Sequence, residues 1–227
     1  LQNPDSAQSL LDIGDEDSLH LLEHQIHEFH QKFKDLFDQM NQIKQRVKFY
    51  NEQKQTPKEA DIQGPEGFLA LVFTDVQDST RLWESNLDAM SEAIKLHNEV
   101  MRNMLRFTDG FEVKTEGDAF MCAFAKVEVA VEFTLQAQMA LVDADWPLDI
   151  VGFESGREEY DEDGSRLLYR GLRVRMGIHA GEPIVQKDPI TGRNDYFGPV
   201  VNRAARIAGQ AVGGQIVISN IVWEHIQ

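Results

Sequence analysis

The sequence predicts an α+β fold, a ferredoxin-like βαββαβ sheet, preceded by an N-terminal coiled-coil helix. Three observations carry this. Apolar, strand-like runs at 68–74, 111–124, 172–179 and 215–218 are separated by segments of helical period. One hairpin, turning at Glu116-Gly117-Asp118, falls between the first and second helical segments, where a βαββαβ unit requires it. Upstream, Leu19, Leu22, Ile26, Phe29, Phe33, Leu36, Met40, Ile43, Val47 and Tyr50 recur in alternating steps of three and four, a heptad seam.

In chain order, residues 1–18 are polar and acidic without periodicity and read as a flexible tail. The helix expected at 19–53 would run about 47 Å from Leu19 to Tyr50 at 1.5 Å per residue. Ringed by His, Gln, Lys and Glu, it cannot be buried on all sides. It could lie on its own domain, but a narrow stripe sustained over four heptads favours a dimerising coiled coil. Residues 54–67 hold two prolines and two glycines among charges and suit a linker.

The second domain spans 68–227. It opens with a strand at 68–74 and a helix over 79–106 that ends near Asp109-Gly110. The hairpin at 111–124 follows, then a helix over 126–142 that stops before Trp146-Pro147. A polar insertion fills 148–170. A strand at 172–179 returns to the sheet, with a further strand at 182–186, a helix at 199–209 and a strand at 215–218.

The 227 residues allow one ordinary domain plus an accessory element, and 42% hydrophobic residues suffice for a core. A net charge of −16 argues against a nucleic-acid surface, which needs a basic stripe. No apolar run has membrane-spanning length and no signal pattern opens the chain, so a soluble segment is expected. The single cysteine, Cys122, fits a reducing compartment and reads as a small core residue. The acids of Arg157–Ser165 lack calcium-loop spacing and read as a solvated hairpin tip.

Four groups of polar residues stand where a purely structural element would not need them. Asp75 ends the first strand and Asp118 tips the hairpin; adjacent strand ends would let both hold a hard divalent cation. Either alone could be a helix cap or a turn residue. Lys114 lies on the hairpin and Asp195 in a Gly192–Gly198 loop; as a pair they suit adenine, a lysine donating to N1 and an aspartate accepting from N6. Guanine presents the opposite pattern, and each residue alone could be an ordinary surface group. Asn202 and Arg206, four apart on a helix, share one face away from Val201, Ala205 and Ala208. An amide and a guanidinium there can orient a ribose and offset charge on a phosphoryl group. Arg175, mid-strand, is a candidate phosphate ligand, with Arg173 as the alternative. His97 and His179 read as structural, and Gly209–Gly214 lacks the phosphate-loop pattern.

With these residues assembled, residues 68–227 resemble the catalytic domain of the class III nucleotidyl cyclases. The motifs are Phe73-Thr-Asp-Val-Gln-Asp-Ser-Thr80, Val113-Lys-Thr-Glu-Gly-Asp-Ala-Phe120, Arg175-Met-Gly-Ile-His179 and Asp195-Tyr-Phe-Gly-Pro-Val-Val-Asn-Arg-Ala-Ala-Arg206. Leu82-Trp-Glu84, Trp146-Pro147 and the insertion before Arg175 are similar to the Ras-responsive adenylyl cyclases of fungi. The resemblance implies conversion of ATP to 3′,5′-cyclic AMP and pyrophosphate by two-metal-ion, in-line attack of the ribose 3′-hydroxyl. It implies two Mg²⁺ ions per site, replaceable by Mn²⁺, on Asp75, Asp118 and the Val76 backbone. The backbone of Val76, Gln77, Asp78, Ser79 and Thr80 would cradle phosphates. Lys114 and Asp195 would select adenine, guanylyl cyclases typically carrying a glutamate and a small residue there. Asn202 and Arg206 would stabilise the transition state and Arg175 would contact the triphosphate.

The resemblance also implies a homodimer, the metal acids coming from one protomer and the remaining site residues from its partner. A Ras-type GTPase acting on upstream regions, and a cytoplasmic location peripheral to the inner plasma membrane, are further expectations. Family members continue with a hairpin whose lysine reaches the triphosphate, so the segment is expected to be incomplete at its carboxyl end. A diguanylate cyclase would need Gly-Gly-Asp/Glu-Glu-Phe at the hairpin tip, which Glu116–Phe120 does not supply. A catalytically silent dimerisation or regulatory module is the remaining alternative.

Overall fold

The computed structural model describes residues 64–227. The expected tail (1–18), coiled-coil helix (19–53) and linker as far as residue 63 lie outside the described residues. The run Leu69-Ala-Leu-Val-Phe is apolar on both faces, as a central strand must be, and forms β1 (Leu69–Val76). Then come α1 (Ser79–Ser85), α2 (Leu87–Phe107), β2 (Phe111–Glu116), β3 (Ala119–Phe124) and α3 (Val127–Asp143). The insertion supplies α4 (Leu148–Val151), β4 (Glu159–Tyr160) and β5 (Leu167–Tyr169). The chain continues through β6 (Val174–Gly181), β7 (Ile184–Lys187), β8 (Asn194–Phe197), α5 (Pro199–Ala208), β9 (Ile216–Ile218) and α6 (Asn220–Ile226).

The main sheet has the order β2-β3-β1-β6-β9. β1 is antiparallel to both β3 and β6, and β9 joins parallel to β6. Its first four strands, with α2 and α3, are the expected βαββαβ unit. On one face Phe124 packs 5.1 Å from Phe133 of α3, and Phe120 meets the fully buried His97 of α2 edge-on at 5.6 Å. Burial pushes the His97 imidazole below its usual pKa, against the hydrogen bond to Asn98 that favours the charged form. The opposite face buries Leu69, Leu71, Phe111, Met121 and Ala123 with Tyr196 of β8 and Ala204 of α5.

Three expectations change, and one element is new. The helix at 79–106 is two helices, because Asn86 is extended (φ −154°, ψ 96°) and its side chain accepts from the Ala89 amide at 3.0 Å. A cap of that kind starts a new helix and stops the old one. The strand at 182–186 becomes β7, which pairs with β8 in a separate hairpin, so Asp195 lies on a strand rather than in a loop. On α5 the buried alanines are Ala204 and Ala208; Ala205 is exposed beside Asn202 and Arg206. Finally, Ser219 caps a terminal helix, accepting from Val222 N–H at 3.4 Å. The acidic stretch is the solvated hairpin tip expected, its Asp161 accepting from Arg166 N–H at 3.0 Å.

One close approach sets the depth of α5. A Cβ on Gly177 would collide with the backbone nitrogen and Cα of Ala208. We expect Gly177→Ala to push α5 off the sheet and destabilise the domain by about 1–3 kcal/mol, as overpacking does. Chemical denaturation would show this, and an unchanged midpoint would refute it.

Candidate active site

The β1–β3 register pairs Thr74 with Phe120, which brings the end of β1 against the β2–β3 turn. There Gly117 adopts φ +65°, a conformation glycine supplies without strain, and the next residue, Asp118, turns inward. Its Oδ2 accepts from the Val76 amide at 3.2 Å. Asp75 and Asp118 are therefore brought to one end of the sheet, as the sequence predicts. The buried Thr74 steadies the junction by accepting from Phe120 N–H at 3.3 Å. Sequence reasoning missed Thr74, although a polar residue inside an apolar strand was the signal.

Arg175 faces Asp75 directly across the β1–β6 pairing. Its Nε donates to Asp75 Oδ2 at 2.8 Å, and its terminal nitrogen donates to the same oxygen. Both side chains remain about a third exposed, at 36% and 35%. This alters the expected partition. Arg175 stands beside Asp75 in one chain, whereas the resemblance implied that it would come from the partner with Lys114, Asp195, Asn202 and Arg206. The alternative phosphate ligand, Arg173, is engaged elsewhere: it pairs with Glu159 at 2.9 Å and lies over the Tyr169 ring at 5.1 Å.

Beyond Val76 the chain is tightly held. Gln77 N–H donates to the Arg173 carbonyl at 2.9 Å, and the Gln77 side-chain oxygen accepts from Gly213 N–H at 2.6 Å. Asp78 takes the left-handed conformation (φ 57°), uncommon for a non-glycine residue, and its carbonyl accepts from Leu82 N–H at 3.0 Å. Ser79 and Thr80 then open α1, so residues 76–80 form a fixed turn beside the two acids. A cavity of about 380 Å³ lies between this turn and the insertion, lined by Gln77, Asp78, Arg81, Glu154, Arg157 and Arg173. It includes none of Asp75, Asp118 and Lys114.

Lys114 and Asp195, 81 residues apart, are brought together. Lys114 Nζ donates to Asp195 Oδ2 at 3.3 Å, and lies 5.9 Å from the Phe197 ring centre. The other Asp195 oxygen accepts from Tyr196 N–H at 2.8 Å, which fixes the carboxylate. Asn202 and Arg206 project from the exposed face of α5, opposite Ala204 and Ala208.

Two carboxylates beside a strand-end backbone are hard oxygen donors, the chemistry that suits Mg²⁺ or Mn²⁺. Among the described residues no group of three His, Cys, Asp or Glu side chains converges. A cation on Asp75 and Asp118 would draw its remaining ligands from backbone, water and nucleotide. The residues fit such an ion, with Arg175 as the cation already resting on Asp75.

A family model described as "Adenylate and Guanylate cyclase catalytic domain" matches residues 64–227. An adenylate cyclase of Mycosarcoma maydis is 52% identical over 167 residues, covering 74% of this chain and 7% of that protein. One of Neurospora crassa is 50% identical over 161 residues, covering 71% of this chain and 7% of that protein. The chain thus spans less than a tenth of these relatives. Among solved structures, an adenylate cyclase from Trypanosoma brucei in its monomeric state aligns with a TM-score of 0.65 and 30% identity. That alignment covers 71% of this chain and 77% of the solved one.

Proposed function

The chain belongs to the adenylate and guanylate cyclase catalytic domain family, and from that premise we propose that it forms cyclic AMP from ATP at sites shared by two copies. The observation that carries the choice of ATP is the Lys114–Asp195 pair at 3.3 Å. A donor beside an acceptor matches adenine N1 and N6, whereas guanine would set its N1–H against the lysine.

Asp75, Asp118 and the Val76 backbone would hold two Mg²⁺ ions, with Mn²⁺ able to replace them. Bound ions lower the pKa of the ribose 3′-hydroxyl and neutralise charge on the phosphates. The ribose 3′-oxygen gives its proton to solvent and attacks the α-phosphorus in line, as the bond from that phosphorus to the pyrophosphate oxygen breaks and pyrophosphate leaves. Arg175, which rests on Asp75, would also be placed to donate to a polyphosphate bound beside that acid. The amides of residues 76–80 receive phosphate oxygens. Asn202 orients the ribose, and Arg206 takes up charge developing at the α-phosphoryl group. These last two, with Lys114 and Asp195, would come from the partner copy. Pairing of the two copies through the heptad pattern expected at 19–53, and a Ras-type GTPase acting on upstream regions, are further parts of the proposal. A cytoplasmic, membrane-peripheral location belongs to the same proposal, by resemblance to the fungal enzymes.

The purified parent protein supplied with Mn²⁺ should convert ATP to cyclic AMP at a kcat/KM about 10²-fold or more above that for GTP, since the site's polar pair is matched only by adenine. Chromatography of the products checks it. No cyclic AMP from either metal–ATP complex would favour a catalytically silent dimerisation module instead.

A further inference from the structure

Between Glu112 and Lys114 the β2–β3 ladder slips: Glu112 pairs with Cys122 and Lys114 with Met121, leaving Val113 as an extra residue. A bulge of this kind turns the side chains after it to the other face of the strand. Without it, Glu112 and Lys114 would share a face. With it, Val113 and Lys114 both lie on the face of Tyr196 and Asp195, while Glu112 and Thr115 both lie on the helix face.

The helix-face pair is bound tightly. Arg102 of α2 holds Glu112 in a two-pronged contact, Nε to one carboxylate oxygen at 2.9 Å and a terminal nitrogen to the other at 2.8 Å. Thr115 Oγ1 donates to the same carboxylate at 2.7 Å, spanning the bulge from behind. Arg102 also lies 5.4 Å over the Phe120 ring. Burial works against the charged Glu112 carboxyl, yet the Arg102 guanidinium and Thr115 hydroxyl outweigh it and hold its pKa below the usual value. On the outer side Arg193, one residue before β8, donates to the Glu112 carbonyl and lies 4.8 Å over the Phe111 ring. One residue, Glu112, is thus gripped by side chain and backbone from two different elements. The strand carrying Lys114 and the strand carrying Asp195 are registered through it.

We propose that Arg102, Glu112, Thr115 and Arg193 are positioning residues for nucleotide-base selection, locking the Val113 bulge so that Lys114 and Asp195 meet. The proposal rests on the reading of Lys114 and Asp195 as the adenine-binding pair. A displacement of about 1 Å in such a pair can cost as much as about 10²-fold.

The test is the ratio of kcat/KM for ATP to that for GTP, measured on the full chain. Merely losing folded protein lowers both rates together and leaves the ratio unmoved. Arg102→Ala, Glu112→Ala and Arg193→Ala should each lower it by about tenfold, with the loss carried by the KM for ATP. Glu112→Gln keeps the shape and weakens the charge-assisted contact, so it should lower the ratio less, and remains measurable if the alanine variants fold poorly. Lys114→Ala is run in parallel. If it lowers the ratio while the Glu112 and Arg102 variants leave it unchanged, the positioning role is wrong and base reading stands. If Lys114→Ala itself leaves the ratio unchanged, base reading is wrong and the positioning role falls with it.

Discussion

Mixing an Asp118→Ala chain with an Arg206→Ala chain is expected to restore cyclic AMP synthesis that neither has alone. On the proposed two-chain site, each substitution removes one half of it. Asp118 anchors the strand-end acids through the Val76 amide, and Arg206 stands on the exposed face of α5. Loss of one charge-stabilising group in a preorganised site costs on the order of 10²–10³ in kcat, so either homodimer should be almost silent. In a mixed pair one site inherits both defects and the other none. Random pairing of equal amounts then gives roughly a quarter of the unsubstituted rate, given a two-fold symmetric dimer. The β1–β6 register sharpens the test further. Arg175 faces Asp75 within one chain, so Arg175→Ala should rescue Arg206→Ala but should not rescue Asp118→Ala. Recovery in the latter mixture would place Arg175 with the partner's residues. No recovery in any mixture would mean that each chain builds its site alone.

Much of this arrangement is legible in the residues. β1 and β3 declare themselves because a strand buried on both faces must be apolar throughout, and the Glu116-Gly117-Asp118 turn fixes where the hairpin reverses. Asp75 and Asp118 follow from those two elements. What stays hidden is register. Nothing in Phe111–Glu116 announces that Val113 is an extra residue, because a bulge is set by what grips the strand on either side. The placement of Asp195 on β8 was obscured for a related reason. A Gly-Arg-Asn run reads as a loop, yet Asn194 donates to the Gly64 carbonyl and Tyr196 to the Pro65 carbonyl, which draw the segment into an extended edge. Likewise the break at Asn86 depends on a side-chain cap and on a hydrogen bond to Asp149 of the insertion, 63 residues away. Local pattern carries the strands and acids. Distant contacts decide which side chains meet.

Exchanging Lys114 and Asp195, proposed above to read the base, should exchange the substrate. Lys114→Glu combined with Asp195→Ser would present an acceptor to guanine N1–H and a hydroxyl donor to O6. Adenine would then face an unmatched carboxylate at N1, leaving buried polar groups unpaired, which is the costly form of mismatch. The ratio of kcat/KM for ATP over GTP should fall by on the order of 10³-fold and pass below one. The scaffold can accept the change. Lys114 is 41% exposed and Asp195 26%, so neither substitution opens a cavity or strands a charge in the core. The contacts that seat the pair are also retained, since Glu112 keeps Arg102 and Arg193, and Phe197 stays beside position 114. Each single substitution should behave differently from the pair. Lys114→Glu alone sets a glutamate against Asp195 at a distance now filled by an ion pair of 3.3 Å. That repulsion should lower turnover of both nucleotides, and Asp195→Ser should relieve it while completing the guanine pattern. Comparing initial rates on the two nucleotides for the singles and the double separates charge relief from recognition. If the double variant recovered its rate on ATP and remained poor on GTP, the two residues would be a surface ion pair and the base would be read elsewhere.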